Sequence, residues 1–163
     1  MKKILFILFL GISFNIFAQE KTNEPKAISM DELKSIIGQN DDKLYVINFW
    51  ATWCKPCIDE LPGFMAVHEQ YKDNPNFKMI LVSLDHKRQL NTKVKRFIAK
   101  NNIEAEVLLL DESRHASEWM PEIEQTWVGA IPATFLYKNN EKLFFRQFQM
   151  TQYELEDLVD DFL

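Results

Sequence analysis

The 163-residue chain contains two cysteines, Cys54 and Cys57, in the run Trp53-Cys54-Lys55-Pro56-Cys57. Two thiols three positions apart at the opening of a helix can close into a small disulfide ring and open again, which is two-electron redox chemistry. An apolar, β-rich run (LYVINFW, 44–50) leads directly into the motif, so Cys54 falls where a buried strand gives way to a helix. Unpaired backbone N–H groups and the helix dipole favour negative charge at that point. Lys55 adds a positive side chain next door. Cysteines in such settings have pKa values of roughly 3.5–7.5. Cys54 is therefore the expected exposed nucleophile, attacking a substrate disulfide. Cys57, one helical turn inward, is the expected resolving thiol. Pro56 stiffens the turn between them and leaves Cys57 at a helical position.

Other uses of a cysteine pair compete with this reading. A structural disulfide closing so short a loop restrains the unfolded chain little. A zinc site needs two further ligands, and His68, His86 and His115 stand at spacings typical of no zinc motif. A chance pair of inert cysteines is the third possibility. The strand-to-helix setting favours redox chemistry, with no metal and no cofactor expected. A non-catalytic metal-binding module is retained as an alternative class.

The elements that must position the pair can be read around it. Ser29, with Glu32 three residues on, forms a capping-box signature for a helix reaching about residue 37, ended by Gly38. Continuous apolar runs at 44–50, 77–84 and 106–110 suit strands buried on both faces. A helix is expected from Cys54 to about Lys72, kinked near Leu61 by Pro62. Another helix is expected over 91–100. Residues 113–127 read as short helical turns interrupted by Pro121. A strand at 133–137, a turn at 139–141 and a returning strand at 143–148 form a hairpin. Tyr153, Leu155, Leu158, Val159 and Phe162 give a closing amphipathic helix. The order predicts an α/β fold, with a mixed central β-sheet flanked by helices on both faces.

Residues 1–18 stand apart. Met1-Lys2-Lys3 is positive, residues 4–17 are an apolar run, and Ala18 precedes a polar stretch, the pattern of a secretory signal peptide. The run is shorter than the ~20 residues that span a bilayer, which favours cleavage over anchoring. Residues 19–27 read as a linker and 28–163 as one domain. Without residues 1–18, 145 residues remain, with 17 basic against 24 acidic side chains and a formal charge of −7. An acidic domain without a basic block is a poor nucleic-acid binder. The expected location is periplasmic or otherwise extracytoplasmic, where disulfides persist, and the expected state is a monomer.

The run Asn48-Phe49-Trp50-Ala51-Thr52-Trp53-Cys54-Lys55-Pro56-Cys57, followed by Glu60-Leu61-Pro62, resembles the TlpA/ResA branch of the thioredoxin-like proteins. The resemblance extends in element order over the whole domain. It implies a thioredoxin fold and thiol–disulfide exchange outside the cytoplasm, most often as a reductase of protein disulfides, with a dithiol oxidase or isomerase as the alternative. It further implies apocytochrome c as a possible substrate and a membrane thiol transporter as electron donor. Ile131-Pro132 matches the family's cis-proline, which stands opposite the cysteines and frees the backbone of Ile131 to pair with an extended substrate. Trp53, Pro56, Ile131 and Pro132 would then form an apolar docking surface. Thioredoxin proper has a buried aspartate where this chain has Asn48, and an asparagine takes up no proton. Glu60, three residues past Cys57 on the same helix face, matches a glutamate of ResA-like proteins and becomes the candidate proton carrier. A solvated helix charge is its alternative. Trp119 and Trp127, before the proline, either extend the docking surface or fill the core, and core is favoured because buried aromatics are the commoner case.

Overall fold

The computed structural model describes residues 24–111 and 116–163. In chain order these form β1 (Lys26–Ile28), α1 (Met30–Ile37), β2 (Leu44–Trp50), α2 (Lys55–Tyr71), β3 (Phe77–Ser83), α3 (Lys95–Lys100), β4 (Glu106–Leu110), α4 (Ala116–Ile123), β5 (Ala133–Lys138), β6 (Glu141–Arg146) and α5 (Gln152–Phe162). The segment read as a signal peptide lies outside the described residues.

One six-stranded sheet runs in the order β1-β4-β3-β2-β5-β6. β1–β4, β4–β3 and β3–β2 pair in parallel, whereas β2–β5 and β5–β6 are antiparallel. The sheet is therefore mixed, as the sequence predicts.

All seven residues of β2 are buried, because side chains alternate into two separate cores. Leu44, Val46 and Trp50 pack with Leu61, Phe64 and Val67 of α2, Ile98 of α3 and Leu155 and Val159 of α5. Tyr45, Ile47 and Phe49 face the opposite side, against Met30 and Leu33 of α1 and Trp119 and Met120 of α4. Phe49, Trp119, Trp127 and Phe135 are in mutual ring contact there, with centroids 4.8–5.9 Å apart where they meet. The two tryptophans are core residues, 3% and 4% exposed.

The capping box of α1 is present, with Ser29 Oγ accepting from Glu32 N–H and Glu32 accepting from Ser29 N–H. Elsewhere the boundaries differ from the sequence reading. β1 starts at Lys26, inside the stretch read as linker; Lys26, Ala27 and Ile28 align with Leu108, Leu109 and Leu110. Three residues are too few to show alternation, and pairing with β4 is what makes them a strand. The hairpin turn is the pair Asn139-Asn140, both at positive φ (52° and 61°), so β6 begins at Glu141 and ends at Arg146. Two consecutive left-handed residues match the twist of the flanking strands, and asparagine tolerates that conformation. Pro62 sits exposed inside α2, which continues as one helix to Tyr71. The helix expected over 91–100 opens with a π-helical stretch, Leu90–Val94, before α3.

Candidate active site

β2 ends at Trp50, a turn closes through Cys54 N–H donating to the Ala51 carbonyl (3.1 Å), and α2 starts at Lys55. Cys54 is the N-cap of α2, and its Sγ accepts from the Cys57 N–H at 3.3 Å. The two cysteines are joined in a disulfide with Cα atoms 5.3 Å apart. Cys54 is the more accessible sulfur residue, but only 5% exposed, against 0% for Cys57. The nucleophile expected to be exposed thus shows only a narrow face.

Lys55 does not stand over Cys54. Its Nζ lies 2.5 Å from Asp59 Oδ1, one turn along the exposed face of α2. The helix terminus itself is then the main local source of positive potential at Cys54.

Across the motif, the Ile131–Pro132 peptide bond is cis, and the Ile131 carbonyl oxygen lies 3.7 Å from Cys54 Sγ. This loop is shaped from both sides. Trp127 Nε1 donates to the Ala130 carbonyl at 2.8 Å, so a core tryptophan fixes the approach to Ile131. Gln147, past the end of β6, accepts from Val128 N–H and donates to the Thr126 carbonyl. Trp53 (61% exposed) and Pro56 flank the disulfide on the α2 side; Ile131 is half-buried and Pro132 buried. Val128 and Phe148 are also large and exposed, at the two ends of segments tied by Gln147. The sequence reading gave neither a role at the site: Val128 lies in no periodic run, and Phe148 was placed at the end of the returning strand, which stops at Arg146.

Glu60 is not a solvated helix charge. It is 3% exposed, on the same inward side of α2 as Cys57. Asn48 Nδ2 donates to Glu60 Oε1 (2.8 Å) and to Thr134 Oγ1 (3.1 Å), and Met150 N–H donates to Glu60 Oε2 (2.8 Å). Asn48 and Thr134 are fully buried on adjacent strands, where the β2–β5 register sets them opposite each other. Burial pushes the Glu60 carboxyl up to about 7, against the opposing pull of the Met150 N–H and the Asn48 amide. A carboxyl poised near neutrality can hold or release a proton at working pH. It also lines a cleft of about 320 Å³ between α2 and the start of α5, with Asp59, Gly63, Gln149 and Thr151 among its walls. Among the described residues, no three His, Cys, Asp or Glu side chains gather as a metal site.

A family model for the AhpC/TSA family matches residues 17–146. The chain belongs to the AhpC/TSA family. Within that assignment, it is 26% identical over 145 residues to Sporulation thiol-disulfide oxidoreductase A of Bacillus subtilis, covering 85% of this chain and 82% of that protein. It is 26% identical over 120 residues to Thiol-disulfide oxidoreductase ResA of Bacillus cereus, covering 74% of this chain and 59% of ResA. The crystal structure of StoA from Bacillus subtilis superposes with a TM-score of 0.58 at 25% identity, over 74% of this chain and 84% of that one. A thioredoxin-like protein from Porphyromonas gingivalis gives 0.58 at 28% identity, over 76% and 78%. This AhpC/TSA chain thus has a thioredoxin fold, with the Cys-X-X-Cys disulfide at the mouth of α2.

Proposed function

We propose that this thiol–disulfide oxidoreductase works as an exported protein-disulfide reductase. The observation that carries the reading is the asymmetry of the pair: Cys54 caps α2 beside the Ile131 carbonyl, and Cys57 lies fully buried one turn inward, on the side of Glu60. In the reduced protein the Cys54 thiolate attacks one sulfur of a substrate disulfide. A mixed disulfide forms, and the other substrate sulfur leaves as a thiolate and takes up a proton. Cys57 then loses its proton, with Glu60 as the nearby acceptor, and attacks Cys54 Sγ. The mixed disulfide breaks, the second substrate thiol leaves, and the Cys54–Cys57 disulfide remains. Two electrons from a donor dithiol reset the pair.

The docking surface supports a protein substrate. Trp53, Pro56 and Ile131 present apolar area around the sulfur, with buried Pro132 beneath, and an extended substrate segment can lie along Ile131 as an added strand. The apolar leader at residues 1–18 supports action outside the cytoplasm. The resemblance of the run Asn48 to Pro62 to the TlpA/ResA branch makes apocytochrome c one candidate substrate and a membrane thiol transporter the candidate donor.

Cys57→Ser tests the roles directly. It is expected to accumulate mixed disulfides through Cys54, identified by mass spectrometry, whereas Cys54→Ser abolishes disulfide reduction and traps nothing. Trapping by Cys54→Ser in place of Cys57→Ser would reverse the nucleophile assignment. Direction is tested by the reduction potential: a value near about −270 mV fits a reductase, and one near about −120 mV fits a dithiol oxidase.

A further inference from the structure

A second buried acid lies on the other side of the motif, and the exchange steps above do not use it. Asp85 follows the end of β3 and is 0% exposed. Its Oδ2 accepts from the Thr52 backbone N–H (2.8 Å) and from Ser83 Oγ (2.9 Å), and its Oδ1 accepts from Thr52 Oγ1 (2.6 Å). Asp85 N–H in turn donates to Ser83 Oγ at 3.1 Å. Next to it, Leu84 N–H donates to the Trp50 carbonyl at 2.8 Å. The end of β3 therefore grips the β2–α2 turn at its entry, Trp50, and within it, at Thr52. A buried acid needs such partners, since leaving them out costs more than the bonds contribute. Here both oxygens are used on Thr52, two residues before the reactive sulfur. Among the described residues, the backbone bond within the turn is Cys54 N–H to the Ala51 carbonyl, so Thr52 is held from outside by Asp85.

We propose that Asp85 and Thr52 act as a positioning pair that holds Cys54 Sγ at the mouth of α2. The inference rests on the reading of Cys54 as nucleophile. Sγ sits 3.3 Å from the Cys57 N–H and 3.7 Å from the Ile131 carbonyl oxygen. The first contact favours the thiolate, and the second sets the line along which a substrate disulfide is met. A turn free to rotate about Thr52 carries Sγ off both. A misplacement of about 1 Å caused by a change away from the reacting atoms can cost up to about a hundredfold in rate.

Thr52→Val removes the hydroxyl and leaves the backbone N–H and all charges in place. Asp85→Asn keeps the shape and removes one acceptor. The test is iodoacetamide alkylation of the reduced, folded proteins across a pH series, with peptide mapping of the alkylated cysteine. Positioning predicts that both variants raise the Cys54 thiol pKa and slow alkylation below neutral pH by about tenfold. Thr52→Ser, which keeps the hydroxyl, should return both readings toward those of the parent. A charge effect of Asp85 alone would lower the Cys54 pKa in Asp85→Asn and leave Thr52→Val unchanged, which overturns the proposal. Lower melting temperatures with unchanged Cys54 pKa and rate make the contact merely structural and overturn it as well. If Asp85→Asn does not fold, the Thr52 pair of variants still decides. Mapping separates the two readings: alkylation at Cys57 in the parent protein sinks the nucleophile assignment, whereas alkylation at Cys54 with unaltered rates in Thr52→Val sinks only the positioning.

Discussion

Glu60 has both carboxyl oxygens occupied by donors, yet its proton affinity is raised, because burial outweighs the two hydrogen bonds. The stability consequence has a definite sign. Below the unfolded-state value of 4.5 the group is protonated in both states. As pH rises from there to about 7, the unfolded chain releases the proton while the folded one holds it, so folding stability falls; above about 7 the loss is complete. The loss attributable to Glu60 is on the order of 3 kcal/mol. Urea unfolding of the parent and of Glu60→Gln over that pH range checks it. The difference between the two proteins should shift against the parent as pH rises, and parallel curves would remove Glu60 from the titration. In exchange assays the same substitution should slow the step that needs the Cys57 proton removed, and flatten the rate profile near neutrality. The sequence spacing was enough to put Glu60 on the face of Cys57. Its burial was not legible, because Asn48, Thr134 and Met150 converge on it only through the β2–β5 register and the loop before α5. Asp85 was hidden for the same reason: it follows an ordinary strand end, and its bond to Thr52 exists only once β3 lies beside β2.

That convergence depends on how α2 meets α5. At Gly63 the two approach so closely that a Cβ would stand 3.2 Å from Gln152 Cβ and 3.3 Å from its backbone nitrogen. Gly63→Val should therefore overpack the contact and destabilise the fold by about 1–3 kcal/mol, read by urea denaturation. It should also push the start of α5 outward, weakening the Met150 bond to Glu60 and raising that carboxyl further, so the stability decline with pH moves to higher pH. A purely local clash would lower stability equally at every pH. The start of α5 is itself reinforced: Thr151 Oγ1 accepts from Glu154 N–H, and Glu154 accepts from Thr151 N–H. Thr151→Ala is expected to cost about 1 kcal/mol by the same measurement. The long apolar runs that became β2, β3 and β4 were legible because both faces of each are buried, so hydrophobicity alone marks them. β1 was not, since its identity comes from Leu108–Leu110 across the sheet. The capped starts are local events, and the Ser29 box was visible in the sequence; the hairpin bounds were off because a strand end next to a two-residue turn has no composition of its own.

For the whole molecule, the direction of electron flow becomes a question of which redox form is more stable. Folding and reduction form a cycle, so the stability difference between oxidised and reduced protein equals the difference in reduction free energy between folded and unfolded chains. Two opposed effects set it. Closing even the short Cys54–Cys57 loop restricts the unfolded chain to a small degree, at the low end of what disulfides contribute, and favours the oxidised form by about 2 kcal/mol. The mouth of α2 stabilises a Cys54 thiolate and so favours the reduced form, by about 1.4 kcal/mol for each unit its pKa falls below that of a free thiol. With Lys55 turned away to Asp59, the helix terminus acts without the added charge beside it, and the depression should be modest. The loop contribution then prevails, and the oxidised protein should unfold at higher denaturant than the reduced one. About 30 mV of reduction potential corresponds to each 1.4 kcal/mol of that gap. Unfolding curves with and without excess dithiothreitol measure it directly. A higher midpoint for the reduced protein would mean that the fold stabilises the dithiol, the property of a strong oxidant, and the reductase direction would fail while the exchange chemistry of the pair stood.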